Sequence, residues 1–225
     1  MKKITIVIDG PAGAGKSTVS QCLAQKLHYL YLDTGALYRA IAVAAHQKNI
    51  LPTNSKKLYE LCCKSQISFK TEKGKQKVYL NGKDVTQALR TPEMSLLASH
   101  YSRLPCVRKA LLWHQRKLSE RGGIVAEGRD LGTVVFPKAE LKFFLVASLT
   151  ERAQRRYLEG SHQKHSLSQI EKEIQSRDRQ DRERALAPLK KAKDAIEIDT
   201  TTLTIDQVVE ELYKKFKEKY EDHCS

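Results

Sequence analysis

The sequence predicts an α/β fold in which a five-stranded parallel sheet lies between helices, with a small antiparallel β lobe inserted into it. Three observations predict this. Five short apolar runs of strand length are separated by segments of helical periodicity. The first run ends in a glycine-rich turn that opens a helix, the strand–turn–helix order of a βαβ unit. Residues from about 64 to 91 change texture to two-residue alternation (Ile67, Phe69; Val78, Leu80) broken by Lys73-Gly74 and Asn81-Gly82, which is hairpin chemistry.

Each element has its own local reason. Ile4 to Ile8 is a continuous β-branched run, the signature of a strand buried on both faces. Val19, Cys22, Leu23 and Leu27 form an apolar stripe on a helix beginning near Lys16. Tyr29 to Leu32 is a second strand, followed by a helix with Leu37, Ile41 and Ala44 on one side and Thr34 expected as its cap. After the β lobe, Thr91-Pro92-Glu93 supplies an N-cap, a first-position proline and an acid in the first turn. That helical stretch runs to Glu120 and should break at Pro105. Gly123 to Ala126, Leu141 to Ala147 and the weaker Ala195 to Ile198 complete the five strands. Ser148-x-x-Glu151 and Thr204-x-x-Gln207 are capping-box patterns, the second opening a closing helix with Ile205, Val208, Val209, Leu212 and Phe216 on one face.

Composition narrows the function classes. The chain has 225 residues, 40% hydrophobic and 29% charged, an ordinary globular balance. No apolar run approaches the ~20 residues that cross a bilayer, and the first strand meets Asp9 too early for a signal peptide, so neither a span nor secretion is expected. Five cysteines without a C-x-x-C pair and seven histidines without ligand spacing argue against disulfides and zinc and fit a reducing cytoplasm. The net charge of +14 implies an anionic partner, whether nucleic acid, a membrane surface or a phosphorylated small molecule. Residues 151–193 concentrate that charge, with twelve Lys or Arg against seven Asp or Glu.

Gly10-Pro11-Ala12-Gly13-Ala14-Gly15-Lys16-Ser17 matches G-x-x-x-x-G-K-[ST] in the required context, after a strand and before a helix. Glycines let successive N–H groups converge on phosphate oxygens, and the helix N-terminus adds partial positive charge. Lys16 can reach the β and γ phosphates, and Ser17 can ligate Mg²⁺. A phosphate cradle implies a nucleotide but leaves switches, motors, ATPases and small-molecule kinases open.

Three further segments lie at the carboxyl ends of strands or in the basic region. Asp33-Thr34-Gly35-Ala36-Leu37-Tyr38-Arg39 ends the second strand, where Arg39 is either a surface charge or an anion ligand. Glu127-Gly128-Arg129-Asp130 ends the third and puts two carboxylates beside a guanidinium, as an ion-paired turn or as a phosphate and Mg²⁺ site. The sign-alternating run from Arg177 to Arg184 reads by itself as a solvated helix, although arginines after a P-loop are also what phosphoryl transfer uses.

The constellation as a whole resembles the bacterial cytidylate kinases of the nucleoside monophosphate kinase family, over nearly the full chain. The residues that carry the resemblance are Gly-Pro-Ala-Gly-Ala-Gly-Lys-Ser-Thr at 10–18 and Asp-Thr-Gly-Ala-Leu-Tyr-Arg at 33–39. They continue with Gly-Arg-Asp-Leu-Gly-Thr-Val-Val-Phe-Pro at 128–137 and Arg-x-x-x-Asp-Arg-x-Arg ending at 184. The inserted β lobe is similar to the acceptor-region extension of that family. The resemblance implies a P-loop three-layer fold with a core of about 1–39, 123–150 and 177–225, an acceptor-binding lobe of about 40–122 and a short lid of about 151–176.

It also implies an ATP-dependent (d)CMP kinase, with ATP and CMP or dCMP as partners and Mg²⁺ as cofactor. The chain would act in the cytoplasm as a monomer, without nucleic acid or membrane. Gly10, Pro11, Ala12, Gly13, Ala14, Gly15, Lys16, Ser17, Thr18 and Arg155 would hold ATP. Lys16, Arg129 and Arg184 would be catalytic, and Arg39, Arg129 and Arg184 would hold the CMP phosphate. Ser99, Arg108 and Asp130 would read cytosine, Arg177 and Asp181 would contact the sugar, and Ser17 would ligate Mg²⁺. Two positions depart from the pattern. Thr34 stands where the family usually has serine, and Glu127, expected near the Mg²⁺ water shell, stands where relatives carry aspartate. The rival readings are a P-loop kinase for UMP or a shikimate-like acceptor, and a basic nucleic-acid-binding protein, against which no aromatic-interleaved basic stripe is found.

Overall fold

The run Thr5–Asp9 (β1) is buried at all five positions, which explains why it shows no alternation. In this computed structural model, which describes residues 3–72, 75–120, 122–158 and 166–220, β1 is followed by α1 (Lys16–Leu27), β2 (Leu30–Asp33), α2 (Thr34–Gln47) and α3 (Ser55–Lys64). Next come β3 (Ile67–Glu72), β4 (Lys75–Leu80), β5 (Lys83–Asp84), α4 (Pro92–Tyr101) and α5 (Pro105–Ser119). The chain ends with β6 (Ile124–Gly128), a π-helical turn (Leu131–Val135), β7 (Leu141–Val146), α6 (Leu149–Leu158), α7 (Leu167–Glu183), β8 (Ile196–Asp199) and α8 (Ile205–Tyr220).

Two units are distinguished, Met1–Tyr31 with Arg121–Ser225, and Leu32–Glu120. The break puts Thr34 to Arg39 in the second unit. The first contains the parallel sheet, ordered β2-β6-β1-β7-β8. Its register sets Asp9 level with Gly128 on one side and Phe144 on the other, so the ends of β1 and β6 form one edge. Ile6, Ile8, Val125, Phe143 and Leu145 pack with Val19 and Leu23 of α1 and Val208, Leu212 and Phe216 of α8. A small separate cluster, Ala153, Ile170 and Ile174, joins α6 to α7. Ile205, expected on the buried face of α8, is instead exposed at its first position.

In the second unit α2 is the hub. Leu37, Ile41 and Ala44 lie in one core with Leu58, Leu61 and Cys62 of α3, Val78 and Leu80 of β4, and Val107 and Leu111 of α5. The β lobe is a three-stranded antiparallel sheet. Asn81 (φ 50°) and Gly82 (φ 80°) are both left-handed, as a two-residue hairpin turn between twisted strands requires. The Lys73-Gly74 turn lies outside the described residues, as do residues 159–165 of the expected lid. Thr91 caps α4 by accepting from Met94 N–H (3.2 Å), and α5 starts at Pro105, so the expected break is present.

Three local features differ from the sequence expectation. The cap of α2 is Asp33, which accepts from Ala36 N–H (2.9 Å), and Thr34 is the first helical residue: an ionised carboxylate one position earlier outcompetes the threonine hydroxyl. Helix α3 was not expected, because its short stripe sits among lysines; Asn54 caps it by accepting from Lys57 N–H. Helix α7 opens on an additional capping box, Ser166 with Gln169, satisfied in both directions.

Candidate active site

The phosphate cradle depends on the conformational freedom of its glycines. Gly13 (φ 77°) and Gly15 (φ 81°) take the left-handed backbone that turns consecutive N–H groups inward, and Gly15 is also the N-cap residue of α1. At Gly10 a Cβ would lie 2.2 Å from the Leu145 carbonyl oxygen, so the loop leaves β1 by passing directly over β7. Pro11, Ala12 and Ala14 are buried, whereas Ser17 and Thr18 are exposed on the first turn of α1. Lys16 is buried and its Nζ donates to the Pro11 carbonyl at 2.5 Å. Burial pushes its pKa well below the usual lysine value, and the nearby Arg129 and Arg177 cations push it further, against the Glu127 and Asp9 carboxylates.

The edge made by the ends of β1 and β6 carries the other groups. Glu127 is buried and its Oε1 accepts from the Tyr31 hydroxyl at 2.5 Å. Arg129 Nε donates to Asp181 Oδ2 (3.1 Å), and Arg184 donates to Asp130 Oδ1 (2.9 Å) and to the Ala187 carbonyl (2.5 Å). Arg184 also lies 3.8 Å from Asp181, whose carboxylate thus stands between two guanidinium groups. The helix carrying Arg177, Asp178 and Asp181 is therefore solvated on one side only. Asp178 and Asp181 are buried, while Arg179 pairs with Glu183 in solvent. Arg155 on α6 donates to Glu151, to Thr200 Oγ1 (3.1 Å) and to the Thr200 carbonyl (2.6 Å). Its NH1 comes within 3.7 Å of where a Gly15 Cβ would be.

Asp9, which sequence reasoning took only as the end of a strand, organises this edge. Its carboxylate accepts from Leu131 N–H (3.0 Å) and Gly132 N–H (2.8 Å), fixing the π-helical turn that follows Arg129 and Asp130. Burial pushes its pKa up to about 6, outweighing those two amide bonds. From the other side Lys142 donates to the Pro137 carbonyl and to both Asp194 oxygens, and its Cδ would be 3.3 Å from a Cβ on Gly132. Arg152, Asp178 and Thr200 are likewise functional candidates that no motif flagged, since their partners are distant in sequence.

In the second unit, Arg39 donates to Asp33 Oδ2 (2.5 Å), the same carboxylate that caps α2. Arg108 lies over the Tyr38 ring, 5.9 Å from its centroid, and donates to the Ser102 carbonyl. Ser99 sits one turn before, its carbonyl accepting from the Ser102 hydroxyl. Thr34 is buried. One unit thus gathers the P-loop, Glu127, Arg129, Asp130, Arg155, Arg177, Asp181 and Arg184, and the other gathers Thr34, Arg39, Ser99 and Arg108. Among the described residues no three His, Cys, Asp or Glu gather to hold a metal. Among the hard oxygen donors of this region are the Ser17 hydroxyl and the carboxylates of Glu127 and Asp9.

A family model described as cytidylate kinase matches residues 6–218. A cytidylate kinase of Syntrophotalea carbinolica is 49% identical over 220 residues, 97% of this chain and 94% of that protein. A cytidylate kinase of Bacillus subtilis is 47% identical over 220 residues, 97% and 98% of the two chains. Among solved structures, a gluconokinase from Sinorhizobium meliloti covers 100% of this chain and 99% of its own, with a TM-score of 0.50 at 16% identity, a likeness of fold.

Proposed function

The chain belongs to the cytidylate kinase family, and from that membership and its own site we propose that it transfers the γ-phosphoryl group of ATP to CMP or dCMP, releasing ADP and CDP or dCDP. The observation that carries the reading is the buried Lys16 in a left-handed glycine cradle, in the field of Arg129 and Arg177. Cations held close to one another out of water constitute a site that needs phosphate oxygens.

The cradle of residues 10–18 binds the donor tail, with the N–H groups of 13–17 on its β-phosphate and Arg155 beside the nucleotide. Lys16 exchanges the neutral Pro11 carbonyl for anionic phosphate oxygen. Arg39, Arg129 and Arg184 hold the acceptor phosphate, and Arg129 and Arg184 with Lys16 stabilise the charge that spreads over the transferred group. Ser99, Arg108 and Asp130 recognise cytosine, Thr34 contacts the acceptor, and Arg177 and Asp181 meet the sugar. Acceptor phosphate oxygen attacks in line, with no covalent intermediate on the protein. Mg²⁺ bound with ATP supplies charge neutralisation and orientation of the phosphates. The exposed Ser17 hydroxyl fits as its ligand, and the buried Glu127 carboxylate fits as a partner through water.

Residues 40–122 serve as the acceptor lobe and 151–176 as a lid that excludes water. Among the described residues no helix is long and apolar enough to cross a membrane, and a cytoplasmic enzyme acting on free nucleotides needs neither membrane nor nucleic acid.

Initial rates of ADP formation with ATP and each monophosphate test the reading. CMP and dCMP are expected to be phosphorylated far faster than UMP; equal rates on CMP and UMP would overturn the acceptor assignment.

A further inference from the structure

The two peptides that flank Ala12 in the phosphate cradle are held by a buried ion pair. Ala12 N–H donates to Asp178 Oδ1 (3.1 Å) and the Ala12 carbonyl accepts from Arg152 NH1 (2.9 Å). The same Arg152 nitrogen donates to Asp178 Oδ2 (2.5 Å), while its Nε donates to the Ala147 carbonyl at the end of β7 (3.0 Å). Both side chains are nearly inaccessible, 8% exposed for Arg152 and 4% for Asp178. The adjacent residue confirms how close the contact is. A Cβ on Gly13 would lie 3.0 Å from Arg152 Cβ and 3.1 Å from its carbonyl oxygen, so α6 itself rests on the loop.

Stability alone does not explain this arrangement. A buried ion pair recovers its desolvation cost only in part, and an apolar pair of equal volume often serves as well. What an apolar pair cannot do is fix both ends of the Ala12 residue at once. The amide of Ala12 is consumed by Asp178 and so faces away from any donor, which sets the plane from which the following amides turn inward. A lone carboxylate there would repel a polyphosphate; Arg152 cancels that charge.

We propose that Arg152 and Asp178 are positioning residues for the phosphate donor, holding the two peptides that flank Ala12 so that the cradle amides converge and coupling that geometry to α6, which carries Arg155. The proposal rests on the phosphotransfer reading and concerns how the donor half of that site is held. Its consequence is selective. Loss of the pair should weaken ATP while leaving the acceptor unaffected, since neither residue is among the groups assigned to CMP.

The experiment compares the full chain with Asp178→Ala, Arg152→Met and the double variant Arg152→Met/Asp178→Asn. It measures KM for ATP and for CMP separately, kcat, calorimetric ATP binding and thermal melting. Asp178→Ala and Arg152→Met are expected to raise KM for ATP by about tenfold or more, a loss of one charge-assisted hydrogen bond, with KM for CMP within twofold of wild type. The double variant removes both charges yet keeps a carbonyl acceptor for Ala12 N–H, and is expected to recover most of the ATP affinity lost by Arg152→Met alone. Lower melting with both KM values unchanged, equal effects on the two substrates, or a double variant no better than Arg152→Met would each overturn the proposal. Should Asp178→Ala not fold, the comparison of Arg152→Met with the double variant carries the same readout. A wild-type chain that binds ATP but phosphorylates no monophosphate would defeat the activity reading alone, because calorimetry still reports donor positioning.

Discussion

Asp9 offers a measurement in which folding energy and site geometry are read together. Its folded pKa of about 6 stands above its ordinary value of 3.8, a rise of roughly two pH units at about 1.4 kcal/mol each. A carboxyl whose pKa is raised by folding stabilises the native state most when protonated. That contribution is complete below pH ~4 and is lost as pH rises through ~6, amounting to about 3 kcal/mol over the window. The cause is burial of the charged form, which two amide donors offset only partly.

Asp9→Asn removes the titration while keeping one acceptor for the π-helical turn. Urea unfolding of both proteins from pH 4.5 to 7.5, followed by far-UV circular dichroism because the single tryptophan, Trp113, lies in the other unit, isolates the group. Histidines titrate alike in both and cancel. The stability of wild type relative to Asp9→Asn is expected to fall by about 2 kcal/mol across that range, the part of the full loss that lies above pH 4.5. A difference independent of pH would refute the reasoning and place the Asp9 charge in a far more favourable setting than its burial allows.

Three further outcomes are expected. Lys16→Ala should lower turnover by about a thousandfold or more with melting unchanged or raised, since it deletes a cation that burial already disfavours; normal turnover would remove the cradle from the chemistry. Thr91→Ala deletes the acceptor for Met94 N–H and should cost about 1 kcal/mol, read from Trp113 fluorescence in the same unit, with no change in KM for ATP. Chelation with excess EDTA should abolish phosphoryl transfer and added Mg²⁺ should restore it; transfer that persists under chelation would contradict the role given to Ser17.

What could be read in the sequence was what local chemistry dictates. The P-loop is legible because left-handed turns demand glycine at 13 and 15, and Asn81-Gly82 because a two-residue hairpin demands two left-handed residues. The five apolar runs are found as the five strands of one sheet. Non-local chemistry was not legible. The π-helical turn at 131–135 has no periodic signature, since it is fixed by a carboxylate more than a hundred residues earlier. Asp178 looked like one more charge in a sign-alternating, solvated run; its burial and its bonds to Ala12 and Arg152 across the fold distinguish it from Arg179 beside it. Asp33 took the cap from Thr34, as the stronger capping residue of the two, and its second carboxylate oxygen holds Arg39, a contact the local pattern does not encode.

The pairing of the site's cations explains how so much charge is kept poised. Arg129 and Arg184 share Asp181, Arg184 also takes Asp130, and Arg152 takes Asp178. These carboxylates hold together guanidinium groups that would otherwise repel, so under the proposed transfer reading the arginines are oriented in advance of the nucleotide. Lys16 is treated differently: its hydrogen-bond acceptor is the neutral Pro11 carbonyl, in a setting that disfavours its charge. Under the proposed function an entering phosphate would therefore gain most at Lys16, where it brings the stronger counter-charge, and would gain orientation at the arginines, where charge is already balanced. On that reading the donor cradle relies on backbone amides and one buried lysine, while Arg129 and Arg184 are braced by Asp130, just after β6, and by Asp181 of α7.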